Sequence, residues 1–167
     1  MFLLKGFSVL FATAISLGTT AQVTELTPEQ MMKLLPDEIK GFNPAEEFRS
    51  KQMKVGTITY TLCEKKFNLG ERSIKFLLFD FSHADIMYQQ AFRTWKDVHP
   101  VESDSIVLRA VAMDNCAGWE SYRKRTGQSQ IFLGICGRYF LNMTGEKVDL
   151  SDLKSVLSLV ALNKFPK

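Results

Sequence analysis

Between residues 55 and 63 apolar and polar side chains alternate. Ile58, Tyr60 and Leu62 fall on one face of an extended chain, and Thr57, Thr59, Thr61 and Cys63 on the other. A period of two rich in β-branched residues predicts a strand. Residues 74–81 are apolar on both faces, with Ile74, Phe76 and Leu78 opposite Leu77, Phe79 and Phe81. That pattern predicts a central strand covered on both sides. Asn68, Leu69 and Gly70 supply the turn between the two. Ile106, Leu108, Ala110 and Ala112 alternate with Val107, Arg109, Val111 and Met113, giving a third strand, and 119–124 gives a fourth. Residues 130–135 and 138–143 read as a hairpin closed by Cys136 and Gly137, where glycine supplies the positive φ of a tight turn.

A helical period marks three further segments. Thr27, Pro28 and Gln30 form a Thr-x-x-Gln capping box with proline at the first helical position. Leu26 and Met31 stand where a hydrophobic staple closes around it. A second helix is expected to start near Ser82, with Tyr88, Ala91, Phe92 and Trp95 packing on the sheet. A third starts near Asp149 and buries Leu153, Val156, Leu157 and Val160. The predicted order is α-ββ-α-ββββ-α. This is an α+β fold with an antiparallel sheet of about six strands flanked by helices.

The N-terminus has a different pattern. Lys5 is the single charge among residues 1–21. An apolar run over 7–17 follows it, and Thr19 and Ala21 place small side chains at −3 and −1 of a cleavage site. This is the pattern of a secretory signal peptide, and the apolar run is too short to span a bilayer comfortably. The expectation is a secreted or periplasmic protein whose mature part, residues 22–167, is one domain. Removing 21 of the 167 residues leaves 146, enough for a real core. The mature chain carries 20 basic and 18 acidic side chains once Lys5 is gone. A net charge of +2 is too balanced to predict nucleic acid or an anionic membrane as partner.

Candidate chemistry is sparse. Cys63, Cys116 and Cys136 lack the close spacing of a metal motif and contain no Cys-x-x-Cys. Cys116 and Cys136 flank neighbouring strands and are the preferred disulfide pair if one forms. His83 and His99 bracket the second helix. A continuous helix would hold them about 24 Å apart, so a His/carboxylate site would draw on Asp80, Asp85 or Asp114 instead. Met31 and Met32 are the only adjacent methionines and read as core filling. Lys65–Lys66 and Arg123–Arg125, interspersed with Glu64, Glu71 and Glu120, read as a solvated mixed-charge face. No cofactor or metal is implied. The remaining feature is apolar: Phe79, Phe81, Val111, Trp119 and Tyr139 occupy strand positions not claimed by the helices. They form a candidate ligand-binding face unless a helix covers them.

Leu34, Leu35, Pro36, Asp37, Ile39, Gly41 and Phe42, followed by the threonine-rich strand and the 74–81 strand, form a familiar pattern. So do Trp119 and Tyr122 leading to the 134–138 hairpin and a final amphipathic helix. The chain resembles small exported bacterial proteins of no assigned function. In its order of elements it is similar to PsbP-like and DcrB-like α/β/α modules. The resemblance implies an accessory or envelope protein, and carries over no catalytic residue. The expected function is a non-enzymatic binding module for a secreted or envelope protein partner or a small apolar ligand. An enzyme with a His/carboxylate site, and a thiol redox or metal-binding protein, are the alternatives. Oligomeric state is left open.

Overall fold

The structure is a computed structural model and describes residues 25–45, 48–96 and 98–166, with the backbone alone of 94–96. The signal-peptide segment and the side chain of Trp95 lie outside the described residues.

The elements run α1 (Pro28–Met32), β1 (Asn43–Pro44), β2 (Arg49–Val55), β3 (Ile58–Leu69), β4 (Arg72–His83), α2 (Asp85–Lys96), β5 (Val101–Glu102), β6 (Ile106–Met113), β7 (Cys116–Arg123), β8 (Gln128–Ile135), β9 (Tyr139–Glu146) and α3 (Leu150–Leu157). A short 3-10 turn, Leu162–Lys164, follows α3. Every strand pairing is antiparallel. The order across the sheet is β3-β4-β9-β8-β7-β6-β5, with β1 and β2 both on the outer edge of β3. The fold is therefore α+β and antiparallel as expected, but the sheet has nine strands among the described residues instead of six.

The three additional strands escape a periodicity reading for a physical reason. β1 and β5 have two residues each. β2 is a polar edge strand, Arg49 to Val55, exposed along nearly its whole length, so it carries no alternating apolar face. Gly56, at φ 62°, turns β2 into β3. The alternation that begins at residue 55 thus belongs partly to a hairpin. The second helix also starts later than expected. β4 continues through Ser82 to His83, because the Ser82 N–H is held by Asp80 Oδ1 at 2.9 Å.

The sheet separates two apolar layers. On one face Cys63, Phe67, Phe76, Leu78, Leu133 and Leu141 meet α1, the turn after it and α3. On the other, Phe81 and Phe140 meet Ala84 and Tyr88 of the α2 region. β4, β9 and β8 are covered on both sides, which accounts for their two-faced apolar sequences. The α1 cap forms as the sequence predicts. Gln30 N–H donates to Thr27 Oγ1 at 3.2 Å, and Thr27 N–H to Gln30 Oε1 at 2.8 Å. Met31 is buried, and Leu26 packs against the same core.

Two charged residues expected on a solvated face are buried instead. Lys65 is 1 % exposed and Glu120 is 3 % exposed. Both share a face with core residues because strand alternation puts them there, and each meets a partner from a crossing segment. Lys65 donates to the Leu35 and Pro36 carbonyls and to Asp37. Glu120 meets Lys154 of α3.

Candidate functional site

The five residues expected to line one ligand face do not share a face. Phe79, Phe81 and Trp119 point to the α2 side, where Phe79 and Phe81 stack at 5.6 Å and 10°. Phe81 and Trp119 are buried. Tyr139 lies on the opposite side, fully buried, its ring edge-on to Phe165 at 5.0 Å. A helix or a C-terminal turn covers each layer, so the aromatic surface is core. Val111, on the same side as Tyr139, is the one member of the set that lines a groove.

That groove lies between α3 and the β6–β8 part of the sheet and encloses about 260 Å³. Val111 and Met113 of β6 and Ile131 of β8 form its floor, and Leu157, Val160 and Leu162 its wall. The register puts Val111 opposite Gly118 of β7, whose missing side chain deepens the floor. Glu120 and Lys154 close one end, with Lys154 Nζ 2.9 Å from Glu120 Oε2 and 3.2 Å from Oε1. On the other flank of α3 a second groove of about 350 Å³ runs past Ile39, Phe42, Leu69 and Leu159. Its Arg72–Asp152 pair, at 2.7 Å, is exposed. Neither groove was legible in the sequence, since each depends on where α3 crosses the sheet.

A third depression, about 360 Å³, is polar and sits at the start of β3, with Glu25, Thr27, Gln52, Thr61, Ser82 and His83 around it. Asp80 lies at its base, and both of its oxygens are engaged: Arg138 Nε donates to Oδ1 at 2.7 Å and Nη2 to Oδ2 at 2.6 Å. Asp80 is thereby held as a structural counter-ion, not as a base beside His83. His83 Nε2 instead stands 2.8 Å from Glu25 Oε1, with both side chains exposed. Asp114 lies in the β6–β7 turn, at least three strand spacings or about 14 Å from Asp80. His99 is in the loop before β5 and Asp85 begins α2. The candidate His/carboxylate residues are therefore not brought together as one site.

All three cysteines are free thiols. The fold brings Cys116, at the start of β7, beside the β8–β9 turn that holds Cys136, whose N–H donates to the Asn115 carbonyl at 2.9 Å. No bridge joins them in this structure. Burial pushes the Cys63 thiol up to about 12. Burial, with Cys136 nearby, also raises Cys116. Both shifts oppose the thiolate that redox or metal chemistry requires. Among the described residues no group of three His, Cys, Asp or Glu side chains is arranged to hold a metal ion. Nor is any helix among them long and apolar enough to cross a membrane.

No protein-family model matches this chain, and no curated protein matches it by sequence. Among solved structures, the extracellular domain of PknH from Mycobacterium tuberculosis is similar in fold. The TM-score is 0.55 at 8 % identity, covering 86 % of this chain and 100 % of that one. At that identity the likeness concerns the path of the backbone alone.

Proposed function

We propose that this chain is an exported, non-enzymatic binding module of the bacterial envelope, holding a small apolar ligand between α3 and the β6–β8 part of its sheet. The observation that carries this reading is the 260 Å³ groove lined by Val111, Met113, Ile131, Leu157, Val160 and Leu162. A dry cavity of about 150 Å³ lined by aliphatic side chains takes up benzene. A groove of this size has room for one ring with a short chain. Such sites are typically apolar with a few placed polar groups, and here those groups are Glu120 and Lys154.

Two points support the export and accessory parts of the reading. Residues 1–21 have the charge, apolar run and small-residue end of an export signal. The similar solved structure is an extracellular domain. The raised Cys63 and Cys116 thiols and the engaged Asp80 favour binding over catalysis.

The test is a titration of the mature protein with 4-propylphenol, followed by methyl NMR. Saturable shifts at Val111, Ile131 and Leu157 are expected, and Val111→Trp should abolish them with the melting temperature held. Absence of saturable shifts in the unaltered protein would overturn the reading and turn attention to a protein partner.

A further inference from the structure

We infer that the groove selects a ligand whose apolar body carries a neutral hydrogen-bond donor, a hydroxyl or amide N–H, seated on Glu120 Oε2, and that it rejects carboxylate-headed amphiphiles. This rests on the binding reading above and adds the chemistry of the ligand's head.

Glu120 is nearly fully buried, yet its Oε2 receives no hydrogen bond. Lys154 donates to Oε1, and its 2.9 Å approach to Oε2 is an electrostatic contact without hydrogen-bond geometry. Arg109, the cross-strand neighbour of Glu120, donates instead to Glu102 at 2.9 Å. A carboxylate offers about four lone-pair sites, and a buried acceptor left unmet is costly. The unmet oxygen is part of the groove's lining, beside the apolar floor of Val111 and Ile131. A donor entering with an apolar body therefore satisfies both.

Charge decides which donor. The Glu120–Lys154 pair is already neutral overall. An ammonium head would be set against the Lys154 charge, and a carboxylate head against Glu120 itself. A neutral donor meets neither repulsion and gains a hydrogen bond to an ionised acceptor, the stronger kind.

The test compares three ligands of matched body by calorimetry on the mature protein: 4-propylphenol, 4-propylanisole, which lacks the donor, and 4-propylbenzoate. The phenol should bind about tenfold tighter than the anisole, as expected for one hydrogen bond to a charged group, and the benzoate weakest of the three. In the double variant Glu120→Leu/Lys154→Met, which removes the pair without stranding a charge, the phenol preference should fall below about threefold. The series on the unaltered protein decides without any variant. Equal affinity for phenol and anisole, or a benzoate that binds tightest, would overturn the donor inference and leave the groove reading standing. Failure of all three ligands to bind would overturn the groove reading itself.

Discussion

Asp80 and Arg138 meet across β4 and β9 as a two-bond fork, Nε to Oδ1 at 2.7 Å and Nη2 to Oδ2 at 2.6 Å, with both side chains largely withdrawn from water. The Asp80 Oδ1 also accepts the Ser82 N–H. The pair thus fixes the end of β4 against the start of β9. Removing one member strands the other charge in a poorly solvated site, which typically costs about 3–5 kcal/mol. Arg138→Ala should destabilise the protein by that order in urea, with an unchanged slope against denaturant. Arg138→Lys keeps the charge but loses the planar fork, and should fall between. A loss under about 1 kcal/mol for Arg138→Ala would refute the structural role.

A second buried charge makes a sharper contrast. Lys65 Nζ donates to the Leu35 and Pro36 carbonyls at 3.2 Å and to Asp37 Oδ1 at 2.6 Å, and it lies 4.6 Å from the centre of the Phe48 ring. The carbonyls, and not the ion pair, should carry the energy, because Asp37 is 81 % exposed. Lys65→Ala leaves two carbonyls without this donor and opens a hole, so a loss of about 3 kcal/mol is expected. Asp37→Ala should cost less than about 1 kcal/mol, as for an exposed partner. Equal losses from the two variants in the same chemical denaturation series would overturn this apportionment.

These two lysine and glutamate positions show where the sequence stops being informative. Alternation alone put Lys65 on the face of Cys63 and Phe67, and put Glu120 on that of Cys116. Charge type nonetheless pointed both to solvent, because the partners that make burial tolerable arrive from remote segments, Leu35–Asp37 and Lys154. The capping box of α1 and the two-faced core strand β4 were legible because each rests on neighbours a few residues apart. β2 was not, since an exposed edge strand such as Arg49–Val55 is specified by its pairing with β3 and not by its own pattern. Of the five apolar residues read as one face, four are core on one side or the other. Strand parity separates Tyr139 and Val111 from Phe79, Phe81 and Trp119, and only the sheet register shows it. The groove arises from the crossing of α3, a tertiary relation with no local signal.

Close backbone approach gives a prediction at two glycines. A Cβ on Gly134 would lie 2.6 Å from Tyr88 Oη and 2.8 Å from the Phe92 ring, so α2 packs against bare β8 backbone there. Gly134→Ala should displace α2 at a cost of about 1–3 kcal/mol, the usual range for overpacking. At Gly118 the same atom would meet the Phe132 carbonyl oxygen at 1.8 Å, and backbone cannot swing away as a side chain can. Gly118→Ala should therefore be the more damaging of the two. Thermal unfolding of both variants checks the order, and a Gly118→Ala protein as stable as Gly134→Ala would refute it.

Alkaline pH should loosen the core before it touches the surface. Burial, with Asp80 nearby, pushes the Tyr139 phenol up to about 12, and burial brings the Cys63 thiol to about 12. Ordinary values are about 10 for tyrosine and 8.5 for cysteine. Over the interval between them and about 12, the folded chain keeps protons that the unfolded chain has released. Fewer protons on the unfolded state means that stability falls as pH rises. The contribution is complete at neutral pH, begins to decline above about pH 9 as unfolded cysteine ionises, and is lost by about pH 12. Urea midpoints measured from pH 8 to 11 should fall, and Tyr139→Phe with Cys63→Ala should flatten that fall. The same burial orders the thiols. In native protein at pH 8, iodoacetamide should modify the partly exposed Cys136 first and leave Cys63 intact until unfolding. Peptide mapping that finds Cys63 alkylated as fast as Cys136 would contradict its placement beneath α1.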